Sequence, residues 1–224
     1  MSYTSKFKVD VPEGESGAWR VERFTVDKQA AQAEAMRSVF SGGRGVPEGT
    51  YTRLMRGRTV VMSDTPDEIR DHNDVFFKVK VSRRVSCGFK PRCLVHGLGL
   101  GMVARGVLLE GAEHVTVVEK SPDVIKLVGP WLRKDYGDQV AIIEGDAFTW
   151  KPPKGAYWDI VWHDIWDYIT ADNLPEMHKL HRRFGRRSDW QGSWARPECE
   201  RAARAWKREQ RAIRFAGGID FGSE

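Results

Sequence analysis

Arg92-Cys-Leu-Val-His-Gly97-Leu-Gly99-Leu-Gly101-Met-Val-Ala-Arg105 and, after a short gap, His114-Val-Thr-Val-Val-Glu119 carry the clearest message in the chain. Cys93-Leu94-Val95 reads as a buried strand, the three glycines as a tight turn, and Met102 to Leu109 as a helix leaving it. A second apolar strand, Val115 to Val118, ends on Glu119. Glycines in such a turn let a ligand lie directly on the backbone, where a Cβ would collide with it. An acid about 20 positions further on suits a paired hydrogen bond to ribose hydroxyls. A glycine turn can also do no more than permit close strand–helix packing, so what lies downstream decides.

Downstream, strand and helix keep alternating, which predicts a parallel sheet covered on both faces. Ser121-Pro122 starts a helix as cap and first-turn proline, and Pro130 is expected to interrupt it. Val140 to Ile143 is a third strand, running into Glu144-Gly145-Asp146-Ala147-Phe148. Trp158 to Trp162 is a fourth, running into His163-Asp164-Ile165-Trp166-Asp167. Asn173 with Glu176 resembles a capping box opening a helix over Leu174 to Phe184. Ligands of such sheets bind beyond the carboxyl ends of the strands. Gly97, Glu119, Asp146 and Asp164 all fall there, one cluster per strand.

Upstream, residues 1–18 are polar and read as a loose lead-in. Trp19 to Val26 alternates as a half-buried strand, Lys28 to Phe40 is Ala-rich and helical, and residues 41–47 form a breaker cluster. Tyr51 to Met55 and Thr59 to Met62 flank Arg-Gly-Arg as a β-hairpin, and Asp67 to Lys80 reads as one helix. The expected organisation is an N-terminal extension over 1–90, a ligand-binding Rossmann-like α/β domain over 91–195, and a basic helix and tail over 196–224.

Composition narrows the classes. With 41% hydrophobic and 30% charged residues the chain is globular rather than disordered. No run of about 18 apolar residues is present, so a soluble, cytoplasmic protein without membrane contact is expected. Cys87, Cys93 and Cys199 lack CxxC spacing and suggest neither disulfides nor zinc. Net charge is +5, but twelve Lys or Arg against four acids between Lys179 and Arg214 concentrate +8 there, leaving about −3 elsewhere.

Four strand ends bearing a glycine turn, Glu119, Gly145-Asp146-Ala147 and Asp164-Ile-Trp-Asp167 resemble class I S-adenosylmethionine-dependent methyltransferases. The hairpin before the domain makes the chain most similar to their spermidine synthase-like branch. The resemblance runs from about Tyr51 to Phe184. It implies a cofactor, S-adenosylmethionine or its decarboxylated form, held by Gly97, Gly99, Gly101, Glu119, Asp146, Ala147 and Asp164. It also implies Asp164 and Asp167 as catalytic acids acting on a small-molecule acceptor, with no metal. Methyl transfer to an unidentified acceptor is the expected activity, with aminopropyl transfer as the alternative.

Departures from that pattern are specific. Leu100 stands where spermidine synthases carry an acid inside the turn. Asp71-His72-Asn73 stands for their Tyr-His-Glu, and Val95 for the acid that methyltransferases place before the first glycine. After Phe184 only Ser188 to Trp194 offers a further strand, so a sheet of about five strands is expected. Gly99-x-Gly101-x-x-Ala104 followed by Glu119 also satisfies a dinucleotide pattern, and a non-catalytic nucleoside- or nucleic-acid-binding protein stays open. Arg201, Arg204, Arg208 and Arg211 share one face of the last helix, where nucleic acid could bind or water alone could cover them. Self-association is compatible with the sequence.

Overall fold

The computed structural model describes residues 3–41, 45–85 and 88–217, without side-chain detail at 39–41, 83–85 and 214–217. Cys87, residues 42–44 of the breaker cluster and Gly218 onward lie outside the described residues.

The N-terminal residues form an antiparallel sheet in the order β1 (Gly14–Ser16), β2 (Trp19–Val26), β3 (Gly49–Arg56), β4 (Thr59–Ser63). Helix α1 (Lys28–Ser41) joins β2 to β3. The expected loose lead-in is instead docked, because Phe7, Val9 and Val11 alternate as buried side chains. Phe7 stacks on Phe76 with ring centroids 4.3 Å apart. The buried Asp64 carboxylate accepts from the amides of Val9 (3.1 Å) and Thr52 (2.7 Å), tying this segment to β3.

The second sheet is fully parallel, in the order β7 (Val140–Glu144), β6 (His114–Glu119), β5 (Arg92–His96), β8 (Trp158–His163), β9 (Ser188–Ser193). Five parallel strands with helical crossovers on both faces make this a Rossmann-like α/β fold. One face, through Cys93, Val95, Val115, Val117 and Ile160, meets α3 (Asn73–Val85), α4 (Met102–Leu109) and α5 (Pro122–Tyr136). The other, through Leu94, Val118 and Val161, packs Leu180 and Phe184 of α6 (Asn173–Phe184). Because β5 is central and its chain leaves toward β6 while that of β8 leaves toward β9, a crevice opens between the two strand ends. The final element is α7 (Arg196–Gly217). Among the described residues no helix is long and apolar enough to cross a membrane.

Three local expectations are corrected. The single helix over Asp67 to Lys80 is two, α2 (Pro66–Asp71) and α3, with His72 at the joint and its amide bonded to the Ile69 carbonyl (3.2 Å). The break lets the imidazole turn inward, where it is 1% exposed. Helix α5 continues through Pro130. Buried Val124, Val128 and Leu132, four residues apart, anchor it on both sides of the proline and offset a break that costs about 3 kcal/mol. Asn173 is no cap either: Asp172 holds that position and the Asn173 amide donates to the Tyr168 carbonyl (2.5 Å).

Candidate active site

A cleft of about 440 Å³ lies over the carboxyl ends of the parallel strands, roofed by β3 and β4. Gly97, Gly99, Glu119, Asp146, Ala147, Asp164 and Asp167 line it, whereas Gly101 does not. Gly101 faces the other way: a Cβ there would lie 3.2 Å from both Val128 and Trp131 of α5.

The turn glycines have a reason different from ligand approach alone. All three adopt positive φ, 95° at Gly97, 50° at Gly99 and 73° at Gly101, where L side chains are disfavoured. A Cβ on Gly97 would come within 1.9 Å of the Asp164 carbonyl oxygen, and one on Gly99 within 2.4 Å of Met62 Sδ. The first glycine therefore lets the exits of β5 and β8 touch. Leu100 is fully buried, so the turn offers its backbone and not that side chain to the cleft. Its amide donates to Met62 Sδ (3.1 Å), a contact between β4 and the turn that local sequence does not announce.

Glu119 holds the turn's geometry. Its Oε2 accepts from the Leu98 amide and its Oε1 from the Ser121 amide, each at 2.7 Å. Each oxygen keeps lone-pair capacity toward the cleft. Asp146 accepts from Lys120 Nζ (3.0 Å) and from the Phe148 amide (2.8 Å), which together hold its carboxyl below the usual range. Asp167 pairs with Arg56 from the hairpin. Trp166 Nε1 donates to Glu176 Oε2 (2.8 Å), so this indole is fixed at the wall of the cleft.

Asp164 sits at the crevice itself, its amide bonded to the His96 carbonyl (2.8 Å) and its side chain 14% exposed. Burial, then the charges of Glu68, Glu119 and Asp71, push its pKa up to about 7. His72 Nε2 lies 3.8 Å from its Oδ2, but burial holds that imidazole down to about 3, so it gives Asp164 no positive charge at neutral pH. Glu68, also raised by burial, is fixed by the amide (2.6 Å) and hydroxyl (2.7 Å) of Ser63. Glu68 and its neighbour Met62 were not recognised from sequence. A signal existed for Glu68, since Thr65-Pro-Asp-Glu68 has the spacing that points a glutamate back past a helix start.

Six carboxylates thus line the cleft against two cations, Arg56 and Lys120, each already paired with an acid. Glu68, Glu119 and Asp164 face no cation among the described residues. Such a cleft favours a ligand that brings positive charge.

Beneath it, His96 and His163 stack with centroids 4.9 Å apart and Nδ1 atoms 2.8 Å apart. Gln191 donates to the His181 carbonyl (2.8 Å) and turns its oxygen to His163 Nε2 (3.3 Å). His163 must therefore donate through Nε2 and accept at Nδ1 from His96. Burial pulls both imidazoles down, His163 to about 3, and neither is exposed. They are a neutral floor behind Asp164 rather than bases facing the cleft. His181 is likewise engaged, by Ser193 Oγ (2.8 Å) and Arg196 (3.0 Å).

No family model and no curated protein matches the chain. Among solved structures it is similar to a provisionally assigned RNA methyltransferase from Pyrococcus horikoshii, at 18% identity and TM-score 0.44, covering 63% of this chain and 68% of that one. A provisionally assigned methyltransferase, yhhF, from Escherichia coli is similar at 16% identity and TM-score 0.43, over 57% and 64% of the two chains. The magnesium protoporphyrin IX methyltransferase of Synechocystis, solved with bound S-adenosylhomocysteine, is similar at 14% and 0.40, over 54% and 53%. The chain spans less than two thirds of the length of the last two. These are likenesses of fold.

Proposed function

We propose that the chain is an S-adenosylmethionine-dependent transferase, moving a methyl group to an acceptor whose proton passes to Asp164. The observation that carries this reading is Asp164 itself, a carboxyl with a pKa of about 7 at the crevice between β5 and β8, beside a carboxylate-rich cleft. A base is most effective when its pKa lies near the working pH.

The residues fit the cofactor in two respects. The volume of about 440 Å³ lies in the range of small-molecule sites, and unpaired Glu68, Glu119 and Asp164 suit a cation. Bound there, S-adenosylmethionine supplies a methyl group already activated by its positively charged sulfur. Glu119 would hold ribose hydroxyls with its remaining lone pairs, and Asp146, kept ionised by Lys120, would accept from the adenine amino group. Asp164 would align the acceptor and take up the proton it releases as its bond to the methyl carbon forms and the carbon–sulfur bond breaks, the electron pair of that bond staying on sulfur. Trp166, locked by Glu176, would cover the acceptor from one side.

One observation favours a second reading. No unpaired cation faces the glycine turn among the described residues, and Met62 occupies the Leu100 amide, so an α-carboxylate on the ligand meets no free positive charge there. That arrangement suits the decarboxylated cofactor and aminopropyl transfer.

Calorimetry separates these readings. The sulfonium cofactor should bind more tightly as Asp164 ionises, gaining about tenfold between roughly pH 6 and 8 for a group near 7. Uncharged S-adenosylhomocysteine should not show that gain. A constant ratio of the two affinities across this range would remove Asp164 from the sulfonium's surroundings, and binding of neither would end the proposal. Tighter binding of the decarboxylated form would select the second reading, and binding of NAD alone would select a dinucleotide site.

Glu119→Ala should weaken the cofactor by about 2 kcal/mol, the scale of hydrogen bonds to a charged group. Because Glu119 also fixes the amides of Leu98 and Ser121, Glu119→Gln should recover part of that loss. An unchanged dissociation constant in the alanine variant would exclude Glu119 from the site.

A further inference from the structure

Helix α7 is the largest feature that the cleft leaves unexplained. Its 22 residues hold seven Arg or Lys against three Glu, so they account for four of the chain's five net positive charges.

Its position follows from its first turn. Trp194, two residues before it, lines the cleft. Arg196 Nη1 lies 3.0 Å from His181 Nδ1, in the last turn of α6. One turn further on, Cys199 lies against Thr170 and Asn173, at the beginning of α6. These contacts seat the first turn of α7 against α6 and the segment that precedes it. Beyond Glu200 no residue through Ile213 is buried; Ala203 and Gln210 are half-buried and the others exposed. Past its first turn the helix is an exposed arm, rooted two residues after the cleft-lining Trp194.

Charge along the arm is uneven. Near the body Arg201 pairs with Glu198 (2.5 Å), and Arg196 and Arg204 share Glu200 (3.0 and 3.8 Å). Farther out, Lys207, Arg208 and Arg211 form no ion pair among the described residues. Arg201, Arg204, Arg208 and Arg211 recur at three- and four-residue spacing and make one row. Ten residues of helix span about 15 Å, the reach of roughly four successive phosphates along one strand of a duplex. A regular row of cations matches a repeating anion better than scattered carboxylates. Among the residues whose side chains are described, the opposite face exposes two large apolar side chains, Trp206 and Ile213, seven residues apart. That is far less apolar surface than a helix lying in a membrane interface needs.

We propose that α7 is a nucleic-acid-binding arm, with Lys207, Arg208 and Arg211 contacting the phosphate backbone. Contacts of this kind position a strand without reading its sequence.

The test uses the full chain, with labelled single-stranded RNA, single-stranded DNA and the matching duplexes, titrated by fluorescence anisotropy from 50 to 200 mM salt. Binding should weaken steeply with salt, and the arms distinguish RNA from DNA as the source of the phosphates. Changing Lys207, Arg208 and Arg211 together to Gln should weaken binding at least about tenfold and flatten the salt dependence by about two to three units of slope. Circular dichroism and melting temperature should not change, because these side chains are exposed. A charge-preserving set, Lys207→Arg with Arg208→Lys and Arg211→Lys, should bind as the parent does. Absence of binding at 50 mM salt, or equal binding by the Gln variant, overturns the proposal. So does a variant that loses only its sedimentation with phosphatidylserine vesicles. Cofactor calorimetry on the same Gln variant should match the parent, so failure of the arm and failure of the cleft reading are told apart.

Discussion

Asp164→Asn is expected to lower turnover by about 10²- to 10⁴-fold, the usual contribution of a positioned base, while raising thermal stability at pH 8. The two effects have one cause. In the folded chain the Asp164 carboxyl is held up to about 7 by burial and by Glu68, Glu119 and Asp71, whereas an unfolded aspartate titrates near 3.9. Between those values the folded state binds more protons than the unfolded one, so this group's contribution to stability falls as pH rises through the window. Below about pH 4 both states hold the proton and the contribution is level; above about 7 the full deficit is present. At about 1.4 kcal/mol per unit the ceiling is on the order of 4 kcal/mol, reduced because the side chain is 14% exposed to the cleft. The uncharged asparagine removes that deficit. Melting curves of parent and variant should therefore diverge from pH 5 to pH 8, with the variant ahead. A stability difference independent of pH would mean that Asp164 titrates normally and would withdraw it as the proton acceptor.

The same residue shows what could be read in advance. The expectation that a ligand binds at the strand ends rests on local patterns, and those patterns were legible. Apolar runs at 93–95 and 115–118 give strands, glycine gives the turn, and an acid stands at the end of the second strand. The hairpin around Gly57 was legible for the same reason. Strand β9 was only faintly so: it lies at the sheet edge, and Ser188, Asp189 and Gln191 are tolerated where one side is open. What sequence could not announce are contacts far apart in the chain. Met62 meets the Leu100 amide 38 residues away, and Glu68 raises the pKa of an aspartate almost a hundred positions on. Helix continuity through Pro130 belongs to the same class, since it depends on the core that Val128 and Leu132 enter.

Gly97→Ala is expected to be severely damaging and Gly99→Ala to be mild, although both glycines belong to one motif and both have positive φ. At Gly97 the new Cβ would lie 1.9 Å from the Asp164 carbonyl oxygen, a backbone atom on the neighbouring strand exit. Relief requires β5 and β8 to part at their ends, which misplaces the proposed proton acceptor as well as the turn. Strain at φ 95° adds about 1–2 kcal/mol on its own. A total above about 3 kcal/mol follows, or a melting temperature lower by roughly 6–12 °C for a chain of this size, with cofactor binding lost in whatever folds. At Gly99 the obstacle is Met62 Sδ at 2.4 Å, on a flexible thioether that can swing aside. Its cost should stay near the roughly 1 kcal/mol of the left-handed backbone, and Met62→Ala combined with Gly99→Ala should relieve the contact part of it. Equal tolerance of alanine at the two positions would show that the strand ends do not meet as described. The contact of β5 with β8 at Gly97, rather than open space for a ligand, is then what makes the first glycine of the turn irreplaceable.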